Sequence, residues 1–307
     1  MKTAILFSGQ GAQFLGMGLD FIDANPKLKA KVKDYSELIG LDIIEALNDP
    51  LKINDTRYTQ PLMVVVEMLI HDLLLSKGLK IDGYTGFSLG EFTALYAAGF
   101  FDETAILKII DMRAKLMQEA SDKYPGMMAA ILALTDLDVE SICKEVSNLD
   151  NLVVPANYNS DGQLVISGSK EAVLKAVDLA KQKGARRAMI LNVSGAFHSP
   201  YMNEAGHSLK LYVENFKVGK PVSTLYANTN AKPLEQSNVI NEIQSQISNP
   251  VYFKQTIRQM VLDGFERFIE VGPGQVLSGL VKKITPASQV YNVSKFEDIK
   301  NIEEILK

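Results

Sequence analysis

Gly86-Phe87-Ser88-Leu89-Gly90 is the stretch that indicates both the fold and the chemistry of this sequence. A short apolar segment containing Tyr84 precedes it, and residues 89–98, which are rich in alanine and stopped by Gly99, predict a helix. A serine at a sharp turn between strand and helix is the nucleophile elbow, G-x-S-x-G. The turn raises the hydroxyl clear of the sheet and directs the first N–H groups of the helix towards a neighbouring oxyanion. We therefore predict that Ser88 is a nucleophile; a plain glycine-rich turn is the alternative.

Size and composition exclude several classes of protein. A chain of 307 residues exceeds the usual single core, so one large domain with an insertion, or two domains, is expected. A net charge of −4 argues against a nucleic-acid binder with a broad basic face. The single cysteine, Cys143, excludes an internal disulfide and fits a reducing compartment. The apolar run 62–75 contains Glu67, His71 and Asp72, which favours a buried helix over a membrane span. We expect a soluble, cytoplasmic protein.

The order of predicted elements indicates an α/β fold with an inserted subdomain. Residues 3–7 predict a buried strand, and the glycine-rich turn after it lacks the last glycine of a dinucleotide fingerprint, since Phe14 stands there. Pro125-Gly126 marks a boundary, after which a βαββαβ pattern is typical of a ferredoxin-like unit. Its predicted elements are strand 127–134, helix 138–147, strands 152–157 and 163–168, helix 170–183 and strand 187–193. We predict an α/β-hydrolase-like catalytic subdomain at 1–124 and 195–307, and a ferredoxin-like small subdomain at 125–194. Further strands are expected at 225–227 and 268–271, and helices at 62–77 and 276–284.

A charged side chain falls on the apolar face of one predicted helix. Asp102 caps the helix 103–121, whose apolar stripe includes Ile110 and Met117, and Arg113 lies on that stripe. An isolated buried charge is very costly, so the guanidinium needs a partner or a solvated cleft. A substrate anion, a structural carboxylate, or an arginine reaching solvent from the edge of the stripe remain the alternatives.

Of the three histidines, His198 is placed like a catalytic base. It lies in a Gly-Ala-Phe loop at a strand end, where Ser199 as N-cap and the following proline predict a helix reaching residue 215. His71 lies in a predicted apolar helix, which indicates a core or edge residue. His207 lies in the middle of another predicted helix. No pair of ligands has the spacing of a zinc site, so no metal is expected.

A serine and a histidine suffice for nucleophilic catalysis if the imidazole is oriented. In α/β-hydrolases an acid lies between the two in chain order. Asp136, Asp138 and Asp161 all fall in the predicted insertion, so no acid can be chosen. A Ser–His dyad oriented by a backbone carbonyl would serve instead.

A series of motifs spans almost the whole chain. In order they are Gly9-Gln10-Gly11-Ala12-Gln13, Thr59-Gln60-Pro61, Ser88-Leu89-Gly90-Glu91, Arg113 with Leu116-Met117-Gln118-Glu119-Ala120, Asn157-Tyr158-Asn159-Ser160, Gly195-Ala196-Phe197-His198-Ser199, Gln246 with Asn249-Pro250-Val251, and Glu270-Val271-Gly272-Pro273-Gly274. Together they resemble the malonyl-CoA:acyl carrier protein transacylases of bacterial type II fatty-acid synthesis. So many ordered motifs are far more specific than the elbow alone.

The resemblance implies a role for each matching residue. Ser88 would take the malonyl group, and His198 would act as base and acid. Arg113 would pair with the malonyl carboxylate. The backbone N–H groups of Gln10 and Leu89 would form the oxyanion hole.

The resemblance also implies supporting residues, substrates and partners. The main-chain carbonyl of Gln246 would orient His198, and Gln60, Asn157 and Phe197 would line the pocket. Malonyl-CoA and a phosphopantetheinyl acyl carrier protein would be substrates, with no cofactor. We expect a monomer that binds neither nucleic acid nor membrane.

Two positions depart from the family pattern, and other functions stay open. Phe87 stands where the family usually has histidine, and Ser8 where it often has proline. A stand-alone acyltransferase serving a polyketide synthase would share every motif. A thioesterase or esterase would share Ser88 and His198 without needing Arg113. A non-catalytic carrier-binding module would have no reason to keep all three.

The segment 170–187 is a predicted contact for the acidic carrier protein. It holds six basic residues against two acidic ones. A solvated helix face explains the same composition at least as well. The expectation is that reversing Lys181 and Arg186 to glutamate would slow transfer to the carrier.

Overall fold

Nine strands in two sheets, flanked by helices, make up residues 1–306, the part of the chain that the computed structural model describes. The strands are β1 (Lys2–Phe7), β2 (Gly83–Gly86), β3 (Gly126–Leu132), β4 (Val153–Ser160), β5 (Gln163–Ser169), β6 (Arg187–Ile190), β7 (Thr224–Leu225), β8 (Phe265–Val271) and β9 (Gln289–Val293). The helices are α1 (Leu19–Ala24), α2 (Pro26–Ile39), α3 (Ile43–Leu47), α4 (Thr56–Ser76), α5 (Gly90–Ala97), α6 (Glu103–Lys123), α7 (Asp136–Val146), α8 (Lys170–Gln182), α9 (Asn203–Val213), α10 (Val239–Gln246), α11 (Phe253–Leu262), α12 (Val276–Ile284) and α13 (Ile299–Leu306). The α/β class predicted from the sequence is confirmed.

The larger sheet is parallel and has the strand order β7-β2-β1-β8-β9. Its central strand β1 is covered on both faces: Ile5 and Phe7 belong to the apolar cluster that contains α4, while Ala4 and Leu6 pack with α11 and α12. Parallel strands end at the same edge of their sheet, and ligands bind at that edge in open α/β sheets. The loops after β1, β2 and β8 therefore meet at one place.

The smaller sheet is antiparallel and has the order β4-β5-β3-β6. Side chains alternate between its two faces. Ala129 and Ile166 pack under α7 and α8, whereas their neighbours Met128 and Val165 face a pocket shared with the larger sheet. The small sheet is thus one wall of that pocket.

This alternation bears on the predicted carrier contact at 170–187. Helix α8 covers the face of the small sheet that points away from the pocket. Three basic residues of the segment 170–187 form ion pairs, Lys175 with Glu171 at 2.7 Å, Lys181 with Asp178 at 3.4 Å, and Lys183 with Glu145 at 2.9 Å. The structure gives no support to a carrier contact on α8.

Several predicted boundaries need correction. Helix α4 begins at Thr56 rather than at residue 62, because the Asp55 side chain caps it by accepting a hydrogen bond from the Arg57 N–H. The helix continues through Pro61, which lacks the N–H for one backbone hydrogen bond. β4 continues to Ser160, and β6 ends at Ile190. By length and composition α4 could cross a membrane, but 78% of its apolar window is buried inside the protein, which confirms the prediction of a core helix.

Ser199 stands at the predicted N-cap position with proline after it, but its side chain makes no capping hydrogen bond. The Ser199 hydroxyl instead donates to the Ala196 carbonyl at 2.6 Å. A single 3-10 turn, Pro200–Met202, follows, and α9 begins only at Asn203. The Ser199 hydroxyl therefore closes the loop that carries His198, and the chain enters α9 through a 3-10 turn.

Candidate active site

The elbow has the predicted form: β2 ends at Gly86, α5 begins at Gly90, and Ser88 between them has a φ of 51°. A Cβ added to Gly86 would lie 2.0 Å from the carbonyl carbon of Gly90, and one added to Gly90 would lie 2.2 Å from the Phe7 carbonyl oxygen. Strand and helix approach too closely for any side chain at these positions. The left-handed backbone of Ser88 costs free energy and requires support from its surroundings.

His198 completes a dyad with Ser88. Its Nε2 lies 2.7 Å from the Ser88 Oγ, and its Nδ1 lies 2.9 Å from the Gln246 carbonyl and 3.1 Å from the Asn249 carbonyl. Because Nδ1–H donates to these carbonyls, Nε2 carries the lone pair that can accept the serine proton. The His198 N–H also donates to the Ile247 carbonyl at 3.0 Å, which fixes the loop. The geometry matches the backbone orientation of His198 predicted from the sequence.

The three aspartates considered as a third member lie elsewhere. Asp136 and Asp161 pair with Lys254 at 2.5 and 3.3 Å, and Asp138 forms the capping box of α7. Backbone carbonyls take the place of the acid.

Arg113 is buried, with 1% of its surface exposed, so it does not reach solvent from the edge of its helix. Its Nη1 donates to Gln60 Oε1 at 2.6 Å and its Nη2 to Gln246 Oε1 at 3.0 Å. Nη2 also lies 3.5 Å from the Ser88 Oγ, and Nε has no hydrogen-bond partner among the described residues. Its direct partners are two neutral carboxamides rather than a structural carboxylate.

Burial lowers the pKa of Arg113 to about 9, against the opposing charge of Glu91. The guanidinium carbon also lies 4.8 Å from the centre of the Phe92 ring, a cation–π contact. At neutral pH the group remains protonated. The guanidinium is therefore a cation beside the nucleophile, and its charge is available to bind an anion.

The predicted oxyanion donors flank this site. Among the described residues, neither the Gln10 N–H nor the Leu89 N–H donates to a backbone or side-chain acceptor. The Gln246 Nε2 donates to the Ser88 carbonyl at 2.5 Å. Since C=O and N–H point in opposite directions across a trans peptide, this contact turns the Leu89 N–H away from Gln246.

A pocket of about 250 Å³ joins these groups between the two sheets. Ser88, Arg113 and His198 line it, and so do Phe197 and Asn157, as predicted. Gln60 does not line the pocket; it is fully buried behind the guanidinium that it binds, which corrects its predicted place. Apolar side chains form much of the remaining wall, among them Met117, Met128, Val165, Leu191 and Val193.

Comparison with known proteins identifies the family of the chain. The acyl transferase domain model matches residues 5–297. A malonyl CoA-acyl carrier protein transacylase of Staphylococcus aureus is 35% identical over 306 residues, which cover 99% of each chain. The chain belongs to the malonyl-CoA:acyl carrier protein transacylase family.

Solved structures of this transacylase family show the same fold. The malonyl CoA-acyl carrier protein transacylase of Clostridium perfringens superposes with a TM-score of 0.95 at 36% identity, covering 100% of this chain and 97% of the other. The malonyl-transacylase PlMCAT, solved in complex with the type II polyketide synthase acyl-carrier protein AntF, superposes with a TM-score of 0.95 at 32% identity and covers 99% and 100% of the two chains.

The two departures from the transacylase pattern have structural roles. The Ser8 hydroxyl donates to the Pro273 carbonyl at 3.1 Å and so ties the loop after β1 to the loop after β8. The Phe87 ring packs edge-on against Phe253 at 5.5 Å. Neither side chain contacts the dyad in a hydrogen bond.

Sequence reasoning missed two buried polar residues beside the elbow. Asn228 binds the backbone on both sides of Phe87, and Glu91 accepts the Asn228 N–H at 2.9 Å. Glu91 is part of the motif Ser88-Leu89-Gly90-Glu91, so its position was visible but its role was not. Asn228 belongs to no motif recognised in the sequence.

Proposed function

We propose that this protein transfers the malonyl group of malonyl-CoA to the phosphopantetheine thiol of acyl carrier protein, through an ester on Ser88, in fatty-acid synthesis. One observation carries the proposal. In a single pocket, the Ser88 Oγ lies 2.7 Å from the imidazole base, His198 Nε2, and 3.5 Å from the buried guanidinium nitrogen Arg113 Nη2. A nucleophile, its base and an anion-binding group are what a malonyl transferase requires.

In the first half of the reaction, His198 accepts the Ser88 proton as Oγ attacks the thioester carbonyl. The N–H groups of Gln10 and Leu89 bind the oxyanion of the tetrahedral intermediate. The C–S bond then breaks, the CoA sulfur leaves with the proton held by His198, and malonyl-Ser88 remains.

In the second half, the carrier thiol gives its proton to His198 and its sulfur attacks the ester carbonyl. Collapse of the intermediate breaks the C–Oγ bond, and His198 returns the proton to Ser88. The same base thus serves both half-reactions, and the chain is unchanged at the end.

Substrate choice follows from the partners of Arg113. Gln60 and Gln246 orient the guanidinium without neutralising its charge. A malonyl carboxylate supplies the balancing negative charge and accepts paired hydrogen bonds from the guanidinium. A thioesterase for neutral acyl groups would bury this cation without benefit, which makes the esterase alternative the weaker one.

Mass spectrometry tests the proposed intermediate. Incubation with malonyl-CoA in the absence of carrier is expected to add one malonyl mass, located on the peptide that contains Ser88, because no thiol is present to accept the group. The ester should disappear when carrier is added. Acquisition of the same mass by Ser88→Ala would show that another residue is the nucleophile, and rapid loss of the ester to water would favour a hydrolase.

The pH dependence of ester formation tests the role of His198. Burial, followed by the nearby Arg113 charge, lowers the pKa of His198 to about 4. A base must be neutral to accept the serine proton, so the rate should stay level from pH 8 down to about 5 and fall only as the pH approaches 4. The measurement is the rate of malonyl-Ser88 formation by rapid quench. A fall in this rate centred near pH 6.5, the ordinary pKa of histidine, would contradict the buried dyad.

The finer architecture is part of this proposal. We assign residues 1–124 and 195–307 to an α/β-hydrolase-like subdomain, supported by the parallel sheet with its elbow. We assign 125–194 to a ferredoxin-like subdomain, supported by the order β4-β5-β3-β6. The protein would act as a soluble, cytoplasmic monomer without a cofactor.

Service to a polyketide synthase is the second candidate, because one structural relative was solved with such a carrier. Values of kcat/KM for a fatty-acid carrier and a polyketide carrier separate the two. A clear preference for the fatty-acid carrier is expected. The reverse preference would reassign the pathway and leave the chemistry unchanged.

A further inference from the structure

Strand β7, which pairs with β2, ends before β2 reaches the elbow. β7 has two residues and pairs with Gly83 and Tyr84. The next residue, Tyr226, still donates its N–H to the Tyr84 carbonyl at 2.9 Å, after which the backbone turns away. The last residues of β2 and the serine beyond it therefore lie past the end of the ladder on this side.

The Asn228 side chain takes over where the backbone leaves. Its Nδ2 donates to the Gly86 carbonyl at 2.8 Å, and its Oδ1 accepts the Ser88 N–H at 2.8 Å. A carboxamide offers one acceptor and a donor, as a peptide group does. Asn228 thus continues the strand pairing with its side chain across the elbow.

Two buried carboxylates hold Asn228 in place. Its own N–H donates to Glu91 Oε1 at 2.9 Å. The next residue, Thr229, donates its N–H and its hydroxyl to Glu242 at 3.0 and 2.5 Å. With 2% of its surface exposed, Asn228 is enclosed as well as bound.

This support acts on the part of the site that is under strain. Ser88 has a φ of 51°, and such a backbone persists where its surroundings over-determine it. Asn228 binds its N–H, Gln246 binds its C=O, and His198 binds its Oγ. Releasing the N–H would let the peptide relax and move Oγ away from Nε2.

We propose that Asn228 is a positioning residue that holds Ser88 in its reactive geometry by replacing the missing strand partner. The inference rests on the proposed function, in which Ser88 is the nucleophile. Asn228 touches neither substrate nor the reacting atoms in this scheme. Its contribution is to the rate of acylation rather than to the binding of malonyl-CoA.

The first test is the rate of malonyl-Ser88 formation in Asn228→Ala. A misplaced nucleophile costs on the order of 10²-fold in rate, and we expect that loss in kcat with the KM for malonyl-CoA nearly unchanged. Asn230→Asp is the matched control: Asn230 is exposed in the same loop, and its Oδ1 accepts from the Lys232 N–H, which a carboxylate also allows. The control should keep the wild-type rate.

The second test uses Asn228→Asp, which is nearly isosteric and so retains the fold if the alanine variant does not. A carboxyl group can accept from Ser88 and donate to Gly86 only while it is protonated. The charged and titratable groups that surround it are Glu91, Glu242, Arg113 and His198. Burial and the charge of Glu242 already raise the pKa of Glu91 well above its ordinary value, against the opposing charge of Arg113, and the introduced carboxyl shares that environment.

Asn228→Asp should therefore approach the wild-type rate at low pH and lose activity as the pH rises through the pKa of the new carboxyl. Wild type and Asn230→Asp should show no such limb below about pH 9, where burial places the pKa of Arg113. If Asn228 were purely structural, Asn228→Asp would lower the melting temperature without making the rate fall with rising pH. Wild-type labelling of Ser88, combined with a full rate in Asn228→Ala or a flat pH profile in Asn228→Asp, overturns the positioning role alone. Failure of wild type to acquire malonate on Ser88 overturns the proposed function itself.

Discussion

Ser88→Ala is expected to lower kcat for malonyl transfer by about 10⁴- to 10⁶-fold, and His198→Ala by a similar factor. The double variant should lose hardly more than either single one. Nucleophile and base act as a unit: without the Ser88 Oγ there is no ester, and without Nε2 at 2.7 Å there is no acceptor for its proton. The measurement is transfer of radiolabelled malonyl to carrier under single-turnover conditions.

His207→Ala is the control for this series, because His207 lies exposed on α9 away from the dyad. It should keep the wild-type rate. Melting temperatures for all variants separate loss of chemistry from loss of fold. If the losses of the two single variants multiply in the double variant, Ser88 and His198 act independently and the dyad is misassigned.

Arg113→Ala should reverse the preference for a charged acyl group. Removing one partner of a buried charge pair costs about 2–5 kcal/mol, which is about one and a half to three and a half decades in kcat/KM at ~1.4 kcal/mol per decade. Malonyl-CoA should suffer this loss, whereas acetyl-CoA, which has no carboxylate, should lose little or gain. Both substrates share any loss caused by leaving the Gln60 and Gln246 oxygens without a donor. The ratio of kcat/KM for the two thioesters is therefore the readout.

Arg113→Lys should recover only part of the preference, since a single ammonium cannot make the paired hydrogen bonds of a guanidinium. Arg57→Ala serves as the control, because Arg57 is an exposed arginine paired with Asp55 on the surface. Equal losses for malonyl-CoA and acetyl-CoA in Arg113→Ala would make this arginine a structural residue. The hydrolase alternative would then gain support.

The parts of the site that could be predicted are those with a local signal. Ser88 stands in a five-residue pattern whose glycines are required by the close approach of strand and helix. Arg113 is indicated by its position as a charged residue within an apolar helical stripe. His198 is indicated by its position in a loop after a predicted strand. Helix α12 was predicted at its observed bounds, since apolar periodicity and the preceding glycines define it.

The parts that escaped prediction depend on contacts between distant segments. Asn228 reaches Gly86, and the Gln246 side chain reaches both Arg113 and the Ser88 carbonyl, across more than a hundred residues in each case. No spacing in the sequence encodes such a meeting. For the same reason the strand β9 has a weak signal in the sequence, because its pairing with β8 rather than its own composition defines it.

The strand order also constrains when the enzyme can become active during synthesis. β8 lies beside β1 in the middle of the larger sheet, although the two strands come from opposite ends of the chain. A ribosome must release residues up to about Val271 before β1 gains its second neighbour, whereas β3 to β6 are close in sequence and can pair early. Ser88 emerges long before Asn228, Gln246 and the carbonyl of Asn249 are available. A nascent chain thus exposes an unactivated serine, and nucleophilic character arises only when the polypeptide is almost complete.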